Sequence, residues 1–492
     1  IVDTQVAKGP GESIAPSPAA GGVIRLTEAA ALELPRIDAQ LDGGSYDLLG
    51  GHVRAAGGAG DDVGWSLTAG TAEADPIDDD DDGNVDVGAL DRRFAEGRFT
   101  WDVSDAHALD VGLSWIDEDT TEARGAFDVL GVLFAPEPDA DPAWTREDTF
   151  VERTELRAGW TWELDAGRTL DVRALQADRD QTVRSQLTGD PEGPLGPEAT
   201  TLFDRFRIDE RHRWVGATYA HPIGFDWMVR FGLDGHEQRV RAETLDLFDL
   251  IGGGPAPDPE IGTDYLETWS AHAEADWALS ARWSVSAGAR YEDMAWGAVE
   301  DSIRREATQV SPRANVRFKP TPDWTLRLLA GRTARAPKPI LAEVCCGQAY
   351  QRSVNADAER GTTLGFEGIF QPGPGFRASV YAARTTFDDH LVRVVGWSQV
   401  YTQTYTLGNV PEARADTLEA AVRWSPHPRV QLDGSIGWLA FFNTGEEDVA
   451  VLVTPPSFGA PVEVLIPMDR IPYRPLRTGS LSACLLYTSP SP

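Results

Sequence analysis

The sequence predicts an all-β protein, a transmembrane antiparallel β-barrel. Three observations carry that expectation. Apolar residues recur at every second position along most of the chain, Trp falls near the ends of those rows, and tight turns alternate with long acidic connections.

The alternation opens with Trp65, Leu67 and Ala69, then Phe99, Trp101 and Val103, and continues through Leu109, Val111, Leu113 and Trp115. Leu156, Ala158, Trp160, Trp162 and Leu164 form another row, as do Trp227, Val229, Phe231 and Leu233. The same period runs through Trp269–Leu279, Trp283–Tyr291, Trp324–Ala330, Leu418–Trp424 and Val430–Trp438. A period of two means strands with one apolar and one polar face. The polar faces carry His272, Glu274 and Asp276 on one strand, Glu155 and Arg157 on another, Arg230 and Asp234 on a third. Aromatic residues bounding an apolar band suit a wall that crosses a bilayer, with the rings at headgroup level.

The connections separate into two kinds. "SDAH", "DAGR", "HPIG", "LSAR", "PTPD", "PGPG" and "SPHP" are tight turns. Between them lie Glu73–Phe94, Asp117–Thr149, Ser185–Arg205, Ala242–Thr263, Thr333–Arg360, Asp388–Val410 and Thr444–Arg474, acidic and rich in Pro and Gly. Small turns on one side and elaborate loops on the other are the signature of a membrane barrel, here of about eighteen strands enclosing a lumen. A soluble propeller would show a repeat of about 40 residues, which is not seen, and one sandwich sheet does not extend to such a strand number.

Bulk properties narrow the function. A formal net charge of -34 over 492 residues argues against nucleic acid, which needs clustered Lys and Arg. No window approaches the apolar length of a transmembrane helix, a limit that does not bear on barrel strands. Three cysteines make neither a disulfide framework nor a zinc pattern. Eight scattered histidines, with no Ser/His/Asp set and no nucleotide-binding turn, predict that the protein is not an enzyme.

The N-terminal segment "TQVAKGPGESIAPSPAAGGVIRLT" resembles the end of the plug domain of TonB-dependent outer-membrane receptors, in which a strand ending in a basic residue and Gly-Pro precedes an A-x-G-G-V-I strand. Lys8, Gly9 and Pro10 match the first element; Ala19, Gly21, Gly22, Val23 and Ile24 match the second, while Ala15-Pro16 replaces the family's Tyr-Gly. Ser311, Pro312, Arg313 and Arg335, Ala336, Pro337 are similar to that family's Ser-Pro-Arg to Arg-Ala-Pro hairpin. Asn355, Asp357 and Glu359, then Asn409 and Glu419, then Pro472–Pro475 resemble later landmarks in the same order.

The resemblance implies a barrel of the 22-strand type, so that about four C-terminal strands, most of the plug and the TonB box lie outside this chain. It divides the chain into a C-terminal plug remnant at 1–28, the barrel at 29–482, and a tail at 483–492 that reads as non-native sequence. It further implies a Gram-negative outer-membrane receptor that takes up a scarce ligand such as a siderophore-like metal chelate. Its partners would be outer-membrane lipid, the ligand and, in the full-length protein, the TonB motor complex. A passive channel or structural barrel without energised transport is the alternative, against which the segment 1–28 argues.

Two stretches offer ligand chemistry. In "DPIDDDDDGNVDVGA", Asp78, Asp80, Asp82 and Asp86 reproduce the early spacing of a calcium loop, although Ala89 stands where the bidentate Glu belongs. Calcium in an extracellular loop is one reading and a solvated acidic loop the other. The arm "VCCGQAY" holds adjacent Cys345 and Cys346, whose Cα atoms, about 3.8 Å apart, fall short of the usual disulfide span. A strained vicinal ring, a pair of thiolate ligands for a soft metal, and a plain turn are all consistent with it. Arg335, Gln348, Tyr350 and Arg352 complete the candidate ligand contacts of this arm.

Overall fold

A computed structural model describes residues 3–8, 22–27, 35–44, 47–60, 62–76, 88–124, 144–188, 200–246, 260–300, 302–337, 356–397, 403–427, 429–445, 449–453, 462–466 and 476–485. Its strands are β1 (Asp3–Lys8), β2 (Gly22–Thr27), β3 (Arg36–Gly43), β4 (Leu49–Ala59), β5 (Val63–Ala74), β6 (Ala89–Ser104), β7 (His107–Arg124), β8 (Trp144–Glu163), β9 (Thr169–Thr188), β10 (Thr200–Ile223) and β11 (Trp227–Asp246). They continue as β12 (Glu260–Trp277), β13 (Trp283–Ala298), β14 (Ile303–Phe318), β15 (Trp324–Arg335), β16 (Glu359–Gly373), β17 (Phe376–Trp397), β18 (Gln403–His427), β19 (Val430–Asn443), β20 (Val449–Val453), β21 (Val462–Ile466) and β22 (Arg477–Leu485).

β1 pairs with β2 and β20 with β21; the other eighteen strands form one antiparallel sheet wound into a ring, with β22 standing between β19 and β3. β1 and β2 are the two elements of the plug resemblance, and Lys8 faces Gly22 at the start of the second. Each tight turn joins the strands expected of it; in "HPIG" the chain reverses through Gly224 at φ 62, a conformation that disfavours side chains with a Cβ. The two strands at the ring's seam are the most open: Leu41 on β3 is 88% exposed and Leu481 on β22 is 87% exposed. β22 also runs into the segment set aside as tail, pairing Ala483 with Leu432 and Cys484 with Gln431.

The sheet is inside out relative to a water-soluble protein. Its outward rows are apolar and exposed, among them Phe231, Leu233, Trp277, Leu328, Leu364 and Ile436. The buried set includes Asp234, Ser270, His272, Glu274, Arg290 and Glu292. Soluble folds bury apolar groups and leave charges out; a wall between hydrocarbon and a polar lumen does the reverse. Trp227 stacks on Trp277, Trp283 on Phe318, and Trp324 meets Phe370, forming a girdle beside the tight turns. Trp269 and Tyr291, both exposed, lie eight residues farther along their strands from Trp277 and Trp283. That spacing is about 27 Å along a strand and, with a tilt of about 40°, roughly 21 Å in height, close to the apolar band of a barrel.

The long-connection side differs from expectation in one respect. Much of what reads as loop is strand: β7 continues to Arg124 and β8 begins at Trp144 within Asp117–Thr149, and β17 continues to Trp397 within Asp388–Val410. β20 and β21 lie inside Thr444–Arg474. Beyond the bilayer both faces of a strand meet water, so "DEDTTEAR" can be strand without apolar alternation.

One feature of the ladder shapes the mouth. β14 and β15 pair only from Phe318–Leu326 to Arg313–Gly331, although β14 continues to Ile303. The next residue is Pro312, which has no N–H to donate. Past it the end of β15 leaves β14, and Ala334, Ala336 and Ala358 pack on Leu266, Met294 and Trp296 of the inner wall.

Candidate functional site

Two groups of polar side chains face the interior. The first lies on the wall within the membrane band, on β11 to β14. The register places Asp234 opposite Ser270, Ser270 opposite Glu292, and His272 opposite Arg290, all on inward parity. Arg290 donates from Nη2 to Asp234 Oδ1 at 2.6 Å and from Nε to Glu292 Oε1 at 3.1 Å, and Ser270 Oγ donates to Asp234 Oδ2 at 2.6 Å. Arg313 bonds Glu274, and Arg230 bonds Asp276, which also accepts from Ser286. Arg290 and Glu292 are each 1% exposed, so their charges depend on one another for solvation. His272 packs where Gly232 leaves room, since a Cβ there would meet its Cε1 at 2.3 Å. Period-two alternation puts Arg230, Asp234, His272, Glu274 and Asp276 on polar faces, and the structure joins them across strands.

The second group is the foot of the arm Thr333–Arg360. Arg335 and Glu359 face each other at the ends of β15 and β16, with Nη2 2.9 Å from Glu359 Oε2. The same oxygen lies 2.6 Å from His390 Nδ1 and accepts the Leu391 N–H at 3.0 Å. His390 is enclosed by Phe387 and Phe441, each 4.7 Å away between ring centroids. Asn409 accepts the Asp357 N–H and donates to the carbonyls of Asp357 and Asp389. Arg305 of β14 reaches Asp357 at 2.7 Å, bridging the gap opened at Pro312.

Local sequence explains this knot. Pro411 interrupts the β17–β18 ladder, which steps from Asp388–Glu412 to His390–Val410. Opposite it, Asp389 takes a left-handed φ of 56, which Asp tolerates better than most residues. That turn of the backbone puts His390 on the same buried side as Phe387. Arg335 is eleven residues from Trp324, three beyond the girdle spacing, so the foot stands outside the apolar band. Burial alone would raise the Glu359 carboxyl; the His390 imidazole, the Arg335 charge and the Leu391 N–H outweigh it and hold the group below the ordinary glutamate value. Asp389 is shifted the other way, by burial and then by the Asp357 charge.

Of the candidate ligand contacts, Arg335 is placed here, paired with Glu359 and with its side chain 46% exposed. Cys345, Cys346, Gln348, Tyr350 and Arg352 lie outside the described residues, as do Asp78, Asp80, Asp82 and Asp86. Among the described residues no cluster of His, Cys, Asp and Glu is arranged to hold a metal ion. The landmarks Asp357, Glu359 and Asn409 converge on the foot, whereas Arg305, Asp389 and His390 were not singled out by sequence. The Asp-Asp-His step opposite Asn-Val-Pro was the available signal.

The profile of the family described as TonB dependent receptor-like, beta-barrel, matches residues 100–489. This chain belongs to that family. No curated protein matches the sequence, but solved structures share the fold. The copper transporter OprC superposes with a TM-score of 0.71 at 15% identity, covering 91% of this chain and 69% of its own. The ferripyoverdine receptor of the outer membrane of Pseudomonas aeruginosa, bound to ferripyoverdine, gives 0.71 at 12% identity, covering 99% and 64%. The siderophore receptor PiuA from Acinetobacter baumannii gives 0.66 at 11% identity, covering 98% and 73%. The chain thus spans about two thirds of the length of these structures. As a TonB-dependent receptor barrel it is an outer-membrane protein of the Gram-negative type and not an enzyme.

Proposed function

We propose that the receptor to which this barrel belongs takes up a scarce metal chelate through the outer membrane, with transport driven through its plug by the TonB motor. One observation carries the reading: a wide wall, polar and ion-paired on its inner face, ends on the long-connection side in an arm whose two limbs are pinned at Arg335–Glu359 and Asp357–Asn409. Limbs pinned in this way are what an arm closing over a ligand would need, and "VCCGQAY" and Arg352 would supply its contacts. A calcium ion on Asp78, Asp80, Asp82 and Asp86 would stiffen the separate connection between β5 and β6.

Uptake of labelled ferric and cupric chelates by cells carrying the full-length gene tests this, with and without collapse of the proton gradient. Energy-dependent accumulation of one chelate supports active transport; accumulation indifferent to the gradient would make the protein a passive channel. Deleting Val344–Arg352 should abolish chelate binding and spare barrel assembly.

A further inference from the structure

The outward face of β10 to β12 carries a groove that the lumenal chemistry does not use. Register stacks three rows there. Leu233 and Ala271 form the lowest, Gly235 and Trp269 the next, and Glu237 and Glu267 the highest, with Arg213 beside Glu237. The groove exists because Gly235 has no side chain; a Cβ there would meet Trp269 Cζ3 at 2.7 Å. Two hollows of about 380 and 430 Å³ share Val215, Gly235 and Trp269 and so make one channel along the wall.

Its two ends differ in chemistry. The lower end, between Leu233, Ala271 and Tyr291, lies in the exposed apolar band. The upper end passes Trp269, 67% exposed at the outer girdle, and reaches Arg213 and Arg239. Glu237 holds both guanidiniums, with Oε1 2.6 Å from Arg239 Nε and Oε2 3.7 Å from Arg213 Nη1. Their side chains remain 50% and 58% exposed, and one carboxylate occupies few of the donors that two guanidiniums offer. Glu267 stands opposite Glu237 and offsets the remaining positive charge, so recognition here rests on directed N–H donors more than on net charge.

An apolar trough entering the bilayer band and ending at headgroup height beside two arginines fits a molecule with an acyl tail and an anionic head. The long connections lie on the same side as these arginines, which places the groove in the outer leaflet. We propose that it is a site for a phosphorylated, acylated lipid of that leaflet, one chain lying over Gly235 and Ala271 and the phosphate bound by Arg213 and Arg239. The proposal rests on the outer-membrane placement and not on the identity of the transported ligand.

The test uses the full-length receptor in mild detergent, mixed with bisphosphorylated lipid A or with its dephosphorylated form, and native mass spectrometry to count bound lipid. The wild type should retain the phosphorylated form about tenfold more tightly. R213Q/R239Q should erase that preference, and Ala271→Phe, apolar and compatible with hydrocarbon, should weaken retention of both forms. A wild type that retains neither lipid overturns the proposal, as does unchanged preference in R213Q/R239Q. A dimer mass that A271F abolishes would assign the groove to a second copy of the chain and overturn it too. Chelate uptake by the same variants should match wild type, so a failed uptake reading stays separable from a failed lipid site.

Discussion

Asn409 holds Asp357 by both backbone atoms: its Oδ1 accepts the Asp357 N–H at 2.7 Å and its Nδ2 donates to the Asp357 carbonyl at 3.1 Å. A side-chain amide here does what a neighbouring strand would do for a backbone, at a place where the chain has left the ladder. Asn409→Ala removes these bonds and the one to the Asp389 carbonyl, and should loosen the foot by about 1–3 kcal/mol. Faster amide exchange at Asp357–Glu359, with unchanged heat-modifiable migration of the barrel, is the expected result. Exchange as slow as in the wild type would mean that the knot holds without Asn409.

The Glu359 carboxyl lies below its ordinary value in the folded foot, so its contribution is present above that value and is lost as pH falls through the lowered one. Arg335 and His390 are its immediate charged and titratable neighbours, with Arg360, Asp357 and Asp389 behind them. Pepsin cleavage of the arm should therefore rise in the wild type as the pH falls below the ordinary glutamate value of about 4.3. Glu359→Gln should flatten that rise. Asp389, raised in the fold, acts with the opposite sign, so Asp389→Asn should steepen it.

Wall parity makes a sharper test. Ala273 faces outward between two lumenal neighbours, His272 and Glu274, that are buried. Ala273→Arg should cost about 2–4 kcal/mol on folding of the full-length receptor into lipid vesicles. Glu274→Gln should cost less, roughly 1–2 kcal/mol, because Arg313 loses a charged acceptor while Asp276 still serves Arg230. An Ala273→Arg receptor that folds as well as wild type would put this parity in the lumen.

The left-handed backbone at Asp389 gives a fourth expectation. Asp389→Gly should be close to neutral for foot stability, whereas Asp389→Val should cost about 1–2 kcal/mol. Protection of the Leu391 amide reads the difference, since that N–H bonds Glu359 only when the turn is kept. Equal protection in the two variants would show that the turn is not held by backbone preference.

The alternation of residues 269–279 was enough to place Glu274 inside and Ala273 outside, because side-chain direction in a strand has period two and needs no partner. The tight turns were legible for a similar reason: Pro and Gly act on the backbone where they stand. The extensions of β7, β8, β17 and β18 were not, since strands wetted on both faces carry no apolar period. Likewise Pro312 was visible as a residue, but not as the point where β14 and β15 part.

By itself, then, the sequence determined an outer-membrane barrel with a polar lumen, and the order of its landmarks identified the family. Each of those properties is written locally, in one strand or one turn at a time. The foot and the outer groove were decided by the tertiary structure alone. Arg305, Arg335, Asp357, Glu359, His390 and Asn409 come from β14 to β18 and the segments beside them, while Arg213, Gly235 and Trp269 come from three neighbouring strands. Which of these side chains meet depends on cross-strand register, and register is set by how whole strands pair, not by any residue's own preference.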